Sequence, residues 1–115
     1  MPTEMRKIVF SEEEIVKAVL TQNRHSVKKL PAGDIIQVTA KNAPDPLLEL
    51  DIFDPTSEAT RTIKLDTSYL AAAMLRFCID HNIPVPRIAD KSVQVLGGSI
   101  ALNISINEGT TSFAV

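Results

Sequence analysis

The chain has 115 residues, of which 44% are hydrophobic and 23% charged, with a formal net charge of −2 at pH 7. That length suits one domain spanning 1–115, leaves no room for two ordinary ones, and buries roughly two-thirds of its surface without staples. The acidic balance argues against a general nucleic-acid binder, and the lone Cys78 rules out an internal disulfide and points to a reducing compartment.

The opening MPTEMRKIVF has no apolar core of signal-peptide length, and no apolar run approaches a membrane span. A cytoplasmic location is the expectation. Aromatic residues are scarce (Phe10, Phe53, Tyr69, Phe77 and Phe113), and a core claims most of them, leaving few rings for base stacking.

In chain order, Arg6 to Phe10 is a short β-branched run and reads as a strand, with the first four or so residues frayed. Ser11 and Glu14 have capping-box spacing, and Phe10 and Ile15 occupy the two positions of a hydrophobic staple. Glu12, Glu13 and Glu14 complement the helix dipole in the first turn. The apolar stripe is Ile15, Val16, Val19 and Leu20, with Asn23 and Val27 as its extension. A turn at Leu30–Asp34 leads to a strand over Ile35–Ala40, with Ile36, Val38 and Ala40 on one side. After the loop Lys41–Pro46, Leu47–Asp54 alternates, with Leu48, Leu50 and Ile52 inward and Glu49 and Asp51 outward. A further turn precedes a strand over Thr60–Leu65.

The segment Asp66–Arg87 reads most clearly. Asp66, Thr67 or Ser68 caps a helix whose apolar arc is Leu70, Ala71, Met74, Leu75, Phe77 and Cys78. Tyr69, Ala72, Ala73, Arg76 and Asp80 fall on the other side, with Arg76 and Asp80 at ion-pair spacing. Pro84 stops the helix near His81 or Asn82, and with Pro86 it makes 83–87 a stiff connector. Ser92–Leu96 and Ser99–Ile106 then flank Gly97-Gly98, a hairpin in which Val95 faces Ile100 and Val93 faces Leu102. Ser112–Val115 is the last candidate strand, unless the C-terminal seven or so residues fray.

The order strand, helix, strand, strand occurs twice. Phe10-Ser11 matches Leu65-Asp66 at an offset of 55, the helical stripes follow, and Leu30-Pro31 lines up with Val85-Pro86. Ile36-Gln37-Val38 resembles Val93-Gln94-Val95 at a slightly different offset. Either a β-α-β-β unit is duplicated, or two such units align by hydrophobicity alone. Both readings give the same class: α+β, a mainly antiparallel sheet of about six strands with two helices on one face, in the order β-α-β-β-β-α-β-β.

No catalytic, cofactor or metal constellation stands out. Cys78 and His81 form C-x-x-H, but structural zinc needs four ligands and only His25 remains as another imidazole. Cys78 reads as a core residue and His81 as a partner of the helix C-terminus. Glu49 and Asp51 share a strand face and read as solubilising. Gly97-Gly98 precedes a strand and so lacks the helix N-terminus of a phosphate loop.

The leading expectation is a non-enzymatic module that binds protein or itself as a homodimer, through an edge such as Ser99–Ile106 or Ser112–Val115, or through the Ala72–Ala73 helix face. The alternative is weak nucleic-acid or anionic-ligand binding through Arg24, Lys28, Lys29 and Arg87, with Arg76 as a further candidate cation. A small-molecule enzyme with an unrecognised site is the third reading.

Overall fold

A computed structural model of the chain describes residues 3–26, 29–42 and 45–107. Its elements are β1 (Thr3–Phe10), α1 (Glu12–Arg24), β2 (Asp34–Lys41), β3 (Leu47–Asp54), β4 (Ala59–Leu65), α2 (Thr67–Asp80), β5 (Asp90–Leu96) and β6 (Ser99–Asn107). The α+β class and the element order are those read from the sequence. Thr3 and Glu4, expected to fray, pair with Asn107 and Ile106. Val27 and the Ser112–Val115 strand lie outside the described residues.

Both helices start on side-chain caps. Glu14 N–H donates to Ser11 Oγ at 3.2 Å while Ser11 N–H donates to Glu14 Oε1 at 3.0 Å, completing the capping box. Phe10 and Ile15, the staple pair, are both buried. Asp66 caps α2 by accepting from Tyr69 N–H at 2.9 Å. At its far end Asn82 takes a left-handed φ of 56°, and Ile83 N–H reaches back to Cys78 O at 2.8 Å. That closes α2 with a Schellman-type turn before Pro84.

Among the described residues six strands form two three-stranded antiparallel sheets, β1-β6-β5 and β2-β3-β4, where the sequence suggested one. Alternation within a strand specifies its faces but not its neighbours, which depend on contacts distant in sequence. Each sheet combines a hairpin from one half of the chain with the first strand of the other half. β1 leaves its own half to pair with β6, and β4 pairs with β3.

The register is equivalent in the two sheets. Phe10, Ile8 and Arg6 stand opposite Ile100, Leu102 and Ile104, as Leu65, Ile63 and Arg61 stand opposite Leu48, Leu50 and Ile52. Val95 and Val93 face Ile100 and Leu102, as Ala40 and Val38 face Leu48 and Leu50. One offset of 55 therefore carries β1, α1 and β2 onto β4, α2 and β5. The drift in offset arises in the hairpin loops, 42–46 in one half against Gly97-Gly98 in the other. Val38 thus corresponds to Val93, not to Val95 as sequence likeness suggested. This is the topology of a strand-exchanged homodimer of β-α-β-β units joined into one chain.

One apolar core spans both sheets and both helices: Leu48, Leu50 and Ile52 join Ile100, Leu102 and Ile104 around Ile15, Val19, Leu70 and Met74. Several details differ from the sequence reading. Leu20, placed on the apolar stripe of α1, is 41% exposed, and Tyr69, placed on the open side of α2, packs against the core. A β-bulge between Ile35 and Gln37 puts Ile35, rather than Ile36, opposite Ile52, and Ile36 is 60% exposed. Ala73, assigned to the open side of α2, is fully buried, so only Ala72 of that pair is exposed. Arg76 is half-buried and makes no ion pair with Asp80; among the described residues the ion pair within 4.0 Å is Lys41–Glu49, at 3.1 Å. At the start of β2, Gly33 has φ +140°, and a Cβ there would lie 2.4 Å from Phe53 O, so only glycine fits.

Candidate functional site

The residue types most associated with catalysis are occupied structurally. Cys78 is completely buried, and that burial pushes its thiol pKa upward, opposite to what a nucleophile needs. His81 is the C-cap of α2; its Nδ1 lies 2.9 Å from Phe77 O, and its ring stacks on Phe77. Glu49 and Asp51 do share the outer face of β3, but Glu49 pairs with Lys41 and Asp51 accepts from Thr62 Oγ1 at 2.7 Å. They form no carboxylate pair. Among the described residues no three His, Cys, Asp or Glu side chains converge as a metal site would require. No helix there is long and apolar enough to cross a membrane.

The candidate cations fall into two groups. Arg24 and Lys29 meet at the end of α1, where Lys29 Nζ donates to Asn23 O at 2.8 Å and Arg24 O at 2.7 Å. Lys29 therefore neutralises the helix's own unpaired carbonyls. Lys28 lies outside the described residues. Arg76 on α2 and the exposed Arg87 in the connector after it belong to the other half. The Arg87 carbonyl accepts from Lys91 Nζ at 3.2 Å.

The expected edge Ser99–Ile106 lies inside β6, the middle strand of its sheet, and so offers no edge. Among the described strands the edges are β1, β5, β2 and β4. Charged side chains interrupt β1 (Glu4, Arg6, Lys7) and β4 (Arg61, Lys64), the usual guard against strand addition. β5 opens with Asp90-Lys91 and packs against α2. β2 differs: between Asp34 and Lys41 its six residues IIQVTA carry no charge.

Beside β2 runs a groove of about 420 Å³, bounded on its other side by α1. Val16 contributes from the helix, and Ile35, Ile36 and Val38 from the strand, with Glu12, Glu13, Lys17 and Gln37 also lining it. The bulge supplies the key residue, because it turns Ile36 out of the core register. Sequence reading put Ile36 on one strand face with Val38 and Ala40 and missed this groove. The signal was present in the doublet Ile35-Ile36, which breaks the alternation of the strand. No family model matches the chain, and neither a curated protein nor a solved structure matches it.

Proposed function

We propose that this protein is a binding module that takes an extended segment of a partner protein as a further strand on β2. The observation carrying this reading is the uncharged edge beside an apolar groove rimmed by Glu12, Glu13 and Lys17. Free N–H and C=O groups along an edge supply affinity without regard to sequence, and the groove supplies selectivity at alternate side chains. Val16, Ile36 and Val38 favour apolar residues on the incoming strand. Glu12 and Glu13, only partly offset by Lys17, favour a neighbouring lysine or arginine.

The test is selection from a displayed random-peptide library on the intact protein, with Ile36→Lys as the counter-target. Peptides alternating apolar and basic residues, bound at least about tenfold more weakly by the variant, support strand addition. No enrichment, or equal binding to Ile36→Lys, refutes it.

Self-association is a second reading, favoured by the outer face of the β1-β6-β5 sheet. Met5 and Val9 are 76% and 51% exposed there, beside the uncharged Ser92, Gln94 and Asn103. The charges on that face, Lys7 and Asp90, lie on opposite edge strands. Stacking two copies about an axis along β6 lays each Lys7 near the other copy's Asp90. Light scattering across concentrations tests this: Lys7→Asp should dissociate the dimer and Lys7→Asp/Asp90→Lys restore it, whereas a wild-type monomer throughout would end the idea.

A further inference from the structure

Both sheets and the helix pair are built across the two halves of the chain. β1 pairs with β6, β4 pairs with β3, and α1 packs against α2. The chain passes from one half to the other through Pro55, Thr56, Ser57 and Glu58, all exposed. Asp54 and Ala59 form the last pair of the β3–β4 ladder before this turn.

The turn is held from Asp54, whose carbonyl accepts from Glu58 N–H at 2.7 Å and whose Oδ1 accepts from Thr56 N–H at 2.9 Å. Glu58 has a φ of 58°, in the left-handed region that a side chain with a Cβ disfavours by about tenfold. Pro55 pulls the other way from closure, because it biases Asp54 towards extended backbone.

We infer that two copies of this chain exchange halves, with Pro55–Glu58 as the hinge. The first half of each copy packs on the second half of the other, so the β1–β6, β3–β4 and α1–α2 contacts are kept in full. The hinge straightens, and β3, hinge and β4 of one copy run antiparallel to those of the other as one ribbon. Asp54 then faces Ala59 of the second copy in the register it has within one chain. Closure of a short turn holds the halves together at an effective concentration on the order of millimolar. Opening it frees Glu58 in both copies, about a hundredfold together, so exchange becomes half-populated on the order of tens of micromolar. Exchange needs β1 and β6 to part, so it occurs on refolding and is slow in the folded protein. It uses neither the β2 groove nor the outer face of the β1-β6-β5 sheet, and Ile36→Lys and Lys7→Asp should leave it unchanged.

The experiment refolds the full chain from urea at about 10 µM to about 1 mM and reads mass by light scattering after size exclusion. A dimer that grows with refolding concentration is expected, and Glu58→Gly should raise the concentration it needs by about tenfold or more. Complementation separates exchange from a surface contact. Val19→Asp in the first half and Met74→Asp in the second should each unfold the chain, since both side chains are fully buried. Refolded together, they should regain cooperative unfolding, because the two intact halves meet in one exchanged unit. The inference is overturned by a wild-type monomer at about 1 mM, by a Glu58→Gly dimer as avid as the wild type, or by core variants that stay unfolded when mixed.

Discussion

Ala18 on α1 and Ala73 on α2 stand at equivalent positions, three residues after the first buried residue of each helix, and both are 1% exposed or less. The helices pack against each other, and a small side chain on the buried stripe of each permits a close approach. Ala18→Leu or Ala73→Leu should each destabilise the fold by about 1–3 kcal/mol through overpacking. Because the helices touch, the double variant should depart from additivity in urea unfolding.

Strand exchange makes a second prediction. Neither half of the chain contains a complete sheet, since β1 belongs with β5 and β6, and β4 with β2 and β3. Cutting in the turn at Pro55–Ser57 should give fragments that are unfolded monomers or exchanged dimers, never folded monomers. Mixing them should restore cooperative unfolding by circular dichroism. A fragment that folds cooperatively as a monomer would contradict the exchange.

The capping box gives a pH dependence. The backbone N–H of Ser11, and then its hydroxyl, hold the Glu14 carboxyl below its ordinary value of 4.5. A depressed acid stabilises the fold fully above that ordinary value, and the contribution disappears as pH falls through the lowered one. Ser11→Ala should cost about 0.5–2 kcal/mol at neutral pH. In Glu14→Gln the acid limb of the stability profile should flatten, which denaturant melts from pH 7 down to pH 3 would measure.

Tyr69 gives the opposite limb. Burial raises its phenol above the ordinary 10.0, so the folded state favours the neutral form. Its contribution is complete below the ordinary value and is lost as pH rises through the folded one. Ultraviolet titration should show one transition above 10.0 in the native protein, moving down on denaturation. Tyr69→Phe should abolish the transition and, by removing a buried hydroxyl with no partner among the described residues, leave stability unchanged or higher.

Much of this architecture was legible because its signals are local. Gly97-Gly98 specified the hairpin and its register to the residue, and the bounds of β3 follow from strict alternation between two turns. Ser11, Glu14, Phe10 and Ile15 announced α1 through contacts within five residues. What escaped depends on partners far along the chain. Alternation in Arg6–Phe10 cannot reveal that its neighbour is β6, and it therefore could not divide the strands into two sheets. Ala73 sat on the open side of a helical wheel, and only the second helix buries it. The groove at Ile36 is likewise made by elements from different parts of the sequence.

The pairing of Thr3 with Asn107 has a consequence for how the chain reaches its native state. The β2-β3-β4 sheet closes through short loops and can form early. The β1-β6-β5 sheet must bring together strands separated by almost the whole chain, at a cost in loop-closure entropy that slows the search. During synthesis β1 emerges well before β6 and waits unpaired until β6 is made. The charges on Glu4, Arg6 and Lys7 then protect a nascent polypeptide from aggregation during that interval.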